Sequence, residues 1–255
     1  MAQNRRNSVR IIARLDIKNN FLIKPIQLDG LRKLGDPNEF ALKYYNEGID
    51  EIIFLDNVAS LYKRQYIDEI ILKATSKIFV PITVGGGIKS VKDVDKILRL
   101  GADKISINTA AVNKPELITE ISKEFGSQCM VVSIEAKKND SSWEVYTNNG
   151  RERTHKNVIE WVKECNELGA GELLITSIDK DGTKKGFDKN LILNVKKNSS
   201  IPIIASGGAG NSLDCLNMLK ETNVSSFAIG SLFHYNLLTI QDLKSELSNN
   251  NFNIR

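Results

Sequence analysis

The chain has 255 residues, of which 41% are hydrophobic and 26% are charged. This composition is that of a globular protein with a large core, and it excludes intrinsic disorder. The formal net charge is only +4 and the basic residues are scattered along helical stretches, which argues against a nucleic-acid-binding protein. Neither an apolar run of membrane-spanning length nor a signal segment after Met1–Arg10 is present, so we expect a cytoplasmic protein without membrane association.

The cysteines and histidines are too few and too dispersed to form a recognisable reactive site. Cys129, Cys165 and Cys215 lie far apart without Cys-x-x-Cys spacing, and the only histidines are His155 and His234. These residues offer neither a zinc site nor a Cys-His nucleophile. We therefore predict structural thiols, no metal and no cofactor.

Short apolar runs alternate with amphipathic stretches along the whole chain. The predicted strands are Val9–Leu15, Glu51–Leu55, Val80–Val84, Lys104–Ile107, Met130–Ile134, Glu172–Thr176, Ile201–Ala205 and Phe227–Ile229. The predicted helices include Asp36–Glu47, Val91–Leu100, Pro115–Phe125, Asn157–Leu168 and Leu213–Glu221. Such alternation is typical of a parallel sheet whose faces are covered by helices.

An internal repeat distinguishes a closed barrel from an open sheet. Glu51–Leu55 resembles Glu172–Thr176, and Val80–Gly87 resembles Ile201–Gly208, both at an offset of 121 residues. Two duplicated (βα)4 halves, at about residues 1–125 and 126–255, would close into a single (β/α)8 barrel domain.

Each half contains a glycine-rich turn directly after a strand, followed one strand later by small or polar residues. Such turns bring backbone N–H groups close to an anion, and strands seven and eight of barrels commonly hold phosphate. The repeat predicts a second site on the opposite side of the mouth, although either turn alone could simply connect a strand to a helix. The predicted phosphate contacts are Gly86, Gly87, Asn108, Thr109, Ser206, Gly207, Gly208, Gly230 and Ser231.

Carboxylates follow several strands, where barrels place catalytic groups. They are Asp16, Asp56, Glu135, Asp179 and Asp181. Asp16 and Glu135 end the first strand of each half, so we predict that they share acid and base roles. A solvated loop charge or a helix N-cap is the alternative for each of them.

Charged residues also mark the strand beginnings. Arg10, Glu51, Lys104 and Glu172 are expected at the N-terminal opening of the barrel, where two acids and two bases can form a ring of salt bridges. The residues alone favour a stabilising role for this ring.

Six segments together resemble the cyclase subunit of imidazole glycerol phosphate synthase, over nearly the whole chain. They are Phe54–Asp56, Thr83–Ile88, Gly101–Ala111, Phe125–Gln128, Thr176–Thr183 and Ile203–Gly210. The resemblance implies a duplicated (β/α)8 barrel that forms a heterodimer with a glutaminase subunit, whose ammonia crosses the barrel. It also implies a substrate with two phosphates, a phosphoribulosyl-formimino aminoimidazole carboxamide ribonucleotide. The implied products are imidazole glycerol phosphate and an aminoimidazole carboxamide ribonucleotide, in histidine biosynthesis.

The resemblance also implies roles for individual residues. Asp16 and Glu135 would be the catalytic acid–base pair, and Lys24 would be the lysine of a mobile loop after the first strand. Asp56, Asp181 and Thr183 would line the substrate mouth, and Asp103 would contact the partner. The four residues Arg10, Glu51, Lys104 and Glu172 would form the ammonia gate.

Departures from the family fall at the substrate mouth. Glu135 stands where the family usually has aspartate, Arg14 replaces a small residue, and Pro25 replaces a glycine after Lys24. A paralogue that channels ammonia to an acceptor in amidino-sugar formation for surface polysaccharides therefore stays open as an alternative. A catalytically silent scaffold subunit is a third interpretation.

Overall fold

A computed structural model describes residues 8–57 and 66–255. In chain order its elements are β1 (Arg10–Lys18), β2 (Phe21–Ile26), β3 (Asp29–Gly35), α1 (Pro37–Asn46), β4 (Glu51–Asp56), α2 (Tyr66–Thr75), β5 (Ile82–Gly85), α3 (Val91–Arg99), β6 (Lys104–Ile107), α4 (Thr109–Asn113), α5 (Glu116–Phe125), β7 (Met130–Asn139), β8 (Ser142–Thr147), β9 (Glu152–Asn157), α6 (Val158–Leu168), β10 (Glu172–Ser177), α7 (Lys189–Asn198), β11 (Ile203–Ser206), α8 (Ser212–Thr222), β12 (Ser226–Ile229), α9 (Ser231–His234) and α10 (Ile240–Asn249).

Eight parallel strands close into a barrel. They follow one another in the order β1, β4, β5, β6, β7, β10, β11 and β12, and β12 returns to β1. This closure confirms the predicted (β/α)8 fold. Within the described residues, no helix is long and apolar enough to cross a membrane.

All eight predicted strands are present. β1 and β7 continue three and five residues beyond their predicted ends, and β5 and β11 begin two residues later than predicted. Both β5 and β11 begin directly after a proline, Pro81 or Pro202, which has no amide N–H to donate to the sheet. The carbonyls of Pro81 and Pro202 nevertheless accept bonds from Ile52 and Leu173 of the neighbouring strands. The equivalent irregularity in both halves agrees with the internal repeat.

The predicted helices form where local capping favours them. Asp36 precedes α1 and accepts bonds from Asn38 N and Glu39 N, and Asn157 caps α6 in the same way. Side-chain caps of this kind satisfy amide groups that have no partner within the helix.

The mobile loop that the resemblance implies after the first strand has the form of a β-hairpin in the structure, and its mobility stays a prediction. This first hairpin (β2 and β3) continues the sheet by antiparallel pairing of β2 with β1, and it buries Leu22 and Ile23. A second hairpin (β8 and β9) extends β7 at the equivalent place in the other half. Each hairpin folds over the mouth of the barrel, where the strands end.

Side chains of the barrel strands alternate between two hydrophobic clusters. On β1, Ile11, Ala13 and Leu15 pack outward beneath the helices, whereas Ile12 belongs to a separate cluster inside the barrel. We call this inner cluster the lumen layer; its buried members are Ile12, Ile53, Val131, Leu174, Ile204 and Ala228. The layer separates the two ends of the barrel.

Candidate active site

Four charged residues close the N-terminal end of the barrel. Arg10 Nη1 lies 2.7 Å from Glu51 Oε1, and its Nη2 pairs with Glu172. Lys104 Nζ completes the circuit, 3.2 Å from Glu51 Oε2 and 3.0 Å from Glu172 Oε2. The predicted ring of salt bridges is therefore present, and we call these four residues the floor ring.

The floor ring is compact because each buried carboxylate has two cationic partners. Glu51 and Glu172 are 3% and 6% exposed, and unpaired charges at such positions would be strongly disfavoured. Arg255 adds a further contact, with its Nη1 3.6 Å from Glu51 Oε1.

A network of four buried charges lies at the opposite end of the lumen. Asp16 Oδ1 accepts a bond from Arg14 Nε at 3.1 Å, and Asp16 Oδ2 lies 3.2 Å from Lys24 Nζ. Lys24 also pairs with Asp181, at 3.0 Å. Burial alone would raise the pKa of the Asp16 carboxyl, but the charges of Arg14 and Lys24 outweigh it and hold that pKa below its ordinary value. Asp16 is consequently a permanent anion at neutral pH.

Glu135 has the opposite character although it occupies the equivalent position on β7, in the other half of the barrel. Burial raises the pKa of its carboxyl to about 7, against the opposing effects of a bond from Gly150 N and the charge of Arg14. The Gly150 amide donates to Glu135 Oε2 at 2.7 Å. Asp16 therefore stays ionised, whereas Glu135 titrates near neutral pH. Such a pair is suited to separate roles in catalysis.

A cavity of about 430 Å³ opens beside Glu135, within the range of small-molecule sites. We call it the first pocket. Gly86, Gly87, Asn108 and Thr109, predicted as phosphate contacts, all line it. Three buried polar atoms of its lining have no hydrogen-bond partner among the described residues: Asn57 Nδ2, Ser106 Oγ and Asn108 Oδ1. Ligand groups can satisfy such atoms.

The second pocket lies on the other side of the mouth and is nearly closed. Its volume is about 10 Å³, room for about one water molecule. The lining contains all five phosphate contacts predicted for the second half: Ser206, Gly207, Gly208, Gly230 and Ser231. Lys24 of the first hairpin also lines this pocket, and Gln27 N of the same hairpin donates to Asp181 O at 2.8 Å. The first hairpin therefore covers the second pocket.

The glycines of both turns are required by the backbone. Gly86 has φ +103°, and a Cβ at this position would lie 2.4 Å from Asp56 O. Gly208 has φ +111°, and its Cβ would lie 2.1 Å from Gly186 O. Tight strand-to-helix turns alone thus account for these glycines. Phosphate binding at the turns stays a prediction.

With this geometry in place, comparison with known proteins gives the family. Residues 10–239 match the family model described as "Histidine biosynthesis protein". The chain belongs to this family. A protein of Legionella pneumophila is 54% identical over 80% of the chain and 97% of its own length, and one of Lactococcus lactis subsp. cremoris (strain SK11) is 48% identical over 94% of each. A third relative, from Bacillus cereus (strain Q1), is 47% identical over 96% of the chain and 98% of its own length. All three relatives carry the name imidazole glycerol phosphate synthase subunit HisF.

The remaining predicted residues occupy different parts of this histidine-biosynthesis barrel. Asp56 is buried and lines the first pocket. Asp103 is exposed at the floor, where its carboxylate accepts a bond from Ile82 N at 2.8 Å. Thr183 is not part of either pocket lining; its hydroxyl donates to Lys180 O within the turn after β10.

Several residues of the site were not predicted. Arg14 was noticed only as a departure, yet it contacts Asp16 and lines both pockets. Asn148 and Asn149, from the turn of the second hairpin, line the first pocket. Ser133 was also missed, although it precedes Glu135 by two residues and so faces the same way on β7. That period of two is the signal by which it could have been found.

Proposed function

We propose that this chain is the cyclase subunit of imidazole glycerol phosphate synthase, which uses ammonia to form imidazole glycerol phosphate. Its three relatives named as this subunit support the proposal. The observation that carries it is the alignment of functional groups along the barrel axis. The floor ring, the lumen layer and the carboxylates of Asp16 and Glu135 follow one another from the floor to the mouth.

The two carboxylates have different roles in the proposed chemistry. Ammonia attacks the ribulosyl ketone of the substrate, and water leaves to give an imine. Glu135, with its pKa near 7, gives and takes protons during imine formation, elimination and ring closure. Asp16 stays ionised and stabilises the cationic character that develops on the imine nitrogen.

The substrate spans the two pockets by its phosphates. The backbone amides of the turn at Gly86 and Gly87, together with Lys89 and Lys114 of the first pocket lining, attract one phosphate. The second phosphate binds at Gly207, Gly230 and Ser231 once the first hairpin moves away from the second pocket. Ser231 Oγ supports this assignment because it is buried and without a hydrogen-bond partner among the described residues.

The ammonia is supplied by a glutaminase partner that docks at the floor. Cys129, Cys165 and Cys215 are all buried, so none is available as the nucleophile that releases ammonia from glutamine. Phe79, in the segment before β5 at the same end of the barrel as the floor ring, is 78% exposed. Large aromatic side chains of this kind commonly anchor protein interfaces.

The experiment is an assay of the purified chain with ammonium salt and the bis-phosphorylated substrate, with both products quantified by chromatography and mass spectrometry. Formation of imidazole glycerol phosphate in equal amount to the released carboxamide ribonucleotide would support the proposal. Absence of turnover, with the protein folded and the substrate bound, would contradict it.

One observation favours the alternative amidino-sugar paralogue. Arg14 and Lys24 crowd the mouth, and they leave the second pocket too small for a phosphate in this arrangement. An acceptor held by another enzyme would need ammonia from the barrel but no second phosphate site. This function predicts that the chain stimulates ammonia transfer by a glutaminase and yet leaves the bis-phosphorylated substrate unchanged.

A further inference from the structure

Strand β1 lines the lumen along its full length. Every second residue of this strand faces the lumen. Arg10 belongs to the floor ring and Ile12 to the lumen layer. Arg14 lies at the next level, and Asp16 lies at the mouth. Anything that travels from the floor to the mouth must therefore cross the level of Arg14 after it leaves the lumen layer.

The guanidinium of Arg14 crosses one side of the barrel. Its Nη1 donates to Thr176 Oγ1 on β10 at 2.8 Å and to Ser206 Oγ on β11 at 3.1 Å, while its Nε is bound to Asp16. Because β12 lies between β11 and β1, the side chain spans four adjacent strands. Arg14 is 3% exposed, and three anchoring contacts fix its position.

The opposite side of the barrel is open above the lumen layer. Leu55 packs against that layer and also lines the first pocket, together with Ser106 and Ser133. The first pocket thus reaches down to the lumen layer on the side of β4 to β7. Glu135 stands at the edge of this opening.

We propose that Arg14 closes the β10–β11–β12 side of the lumen exit, so that ammonia leaves the barrel only beneath the first pocket, beside Glu135. This inference rests on the proposed function, because it assumes that ammonia crosses the lumen. It assigns Arg14 as a positioning residue for the nucleophile and places the attacked carbonyl in the first pocket.

The chemistry of Arg14 is compatible with its place beside the path of ammonia. A guanidinium does not deprotonate in proteins, so it cannot protonate the ammonia that passes it. The charge of Arg14 is balanced by Asp16, at 3.1 Å, so its effect on ammonia is steric. Ammonia that passes Arg14 therefore keeps its neutral, reactive form.

The first test is isotopic competition with the glutaminase complex. The reaction contains glutamine labelled with ¹⁵N in its amide and unlabelled ammonium salt, and the ¹⁵N fraction of the product is measured. For Arg14→Ala we expect this fraction to fall roughly two-fold or more, because truncation leaves a void that the close-packed barrel does not refill. Arg99→Ala, at an exposed arginine of α3 that pairs with Asp95, is the control and should keep the parent value.

Two further variants separate routing from a general loss of activity. Asp16→Asn slows the chemistry but leaves Arg14 anchored to Thr176 and Ser206, so its ¹⁵N fraction should remain that of the parent. Thr176→Val removes one anchor without removing the charge, and it should lower the ¹⁵N fraction less than Arg14→Ala does. If Arg14→Ala kept the parent fraction while its rate fell, Arg14 would act only through Asp16 and the inference would be overturned.

A second test does not depend on turnover. In high-resolution crystals, Arg14→Ala should hold ordered water between Thr176 and Ser206, where the parent holds the guanidinium. A folded variant in which neighbouring side chains fill this space would contradict the inference. If the parent chain gave no product with ammonium salt, the proposed function would fail, while the crystal result would still decide which side of the lumen Arg14 closes.

Discussion

The raised pKa of Glu135 predicts that this single carboxyl destabilises the folded protein at alkaline pH. Below about pH 4.5 the carboxyl is protonated in both the folded and the unfolded chain. Between that pH and about 7 the unfolded chain ionises while the folded chain keeps the proton, so stability is lost progressively as the pH rises. The pKa rises from an ordinary value of 4.5 to about 7, and Glu135 is partly exposed to the open pocket, where solvent reduces the effect. The resulting loss in the free energy of unfolding is about 2 to 3 kcal/mol.

The measurement compares the parent with Glu135→Gln, which cannot ionise and nearly preserves the shape of the side chain. The free energy of unfolding of both proteins is obtained from urea titrations at about pH 4.5 and about pH 8, and all other titrating groups cancel in the difference. We expect the stability of the parent relative to the variant to fall by about 2 to 3 kcal/mol between these pH values. A difference that does not change with pH would show that Glu135 has an ordinary pKa, and the acid–base role proposed for it would lose its physical basis.

Three further predictions concern other parts of the barrel. Asp16→Asn should lower the rate of the ammonium-driven reaction by on the order of 10²–10³ with KM changed by less than about ten-fold, because it removes the anion that stabilises the imine cation, and normal turnover would rule out its proposed role. Lys104→Ala or Glu172→Ala should reduce the glutamine-driven rate more than the ammonium-driven rate, because added ammonia reaches the mouth from the solvent. Equal losses of both rates would show that the floor ring only stabilises the fold. Ser231→Asp should weaken substrate binding by about ten-fold or more in calorimetric titrations, because a carboxylate would repel the second phosphate; unchanged affinity would refute the second phosphate site. Ser231 is preferable to Gly207 for this purpose, because Gly207 has φ +92° and its Cβ would lie 2.8 Å from Ser177 O, so that replacing it would strain the backbone.

The barrel was predictable because its signals are local and repeated. Eight apolar runs mark the strands, and Pro81 and Pro202 shift two strand starts in the same way. The floor ring was equally predictable, since four charged residues precede apolar runs and strand beginnings share one end of a parallel barrel. Each of these inferences needs only the period of a strand and the direction of the chain.

The closed form of the mouth could not be predicted, because its contacts join residues that are distant in sequence. Lys24 pairs with Asp181, 157 positions along the chain, and Arg14 bonds with Ser206, 192 positions away. The strands of the first hairpin were not predicted, because Pro25 interrupts their pattern and the turn is made by Gln27 and Leu28. These two residues have φ +53° and +61°, in a conformation for which glycine or asparagine is the usual signal.

The two hairpins connect the predicted second phosphate site to the carboxylate proposed for acid–base catalysis. Leu28, at the tip of the first hairpin, is buried, and Asn149 Nδ2 of the second hairpin donates to its carbonyl at 3.4 Å. The next residue, Gly150, supplies the amide that binds Glu135. The second pocket, at about 10 Å³, has room for a phosphate only if Lys24 and the first hairpin shift. A shift that breaks the contact between Leu28 and Asn149 would change the surroundings of Glu135. We therefore expect phosphate binding at the second pocket and the pKa of Glu135 to be linked, with each affecting the other.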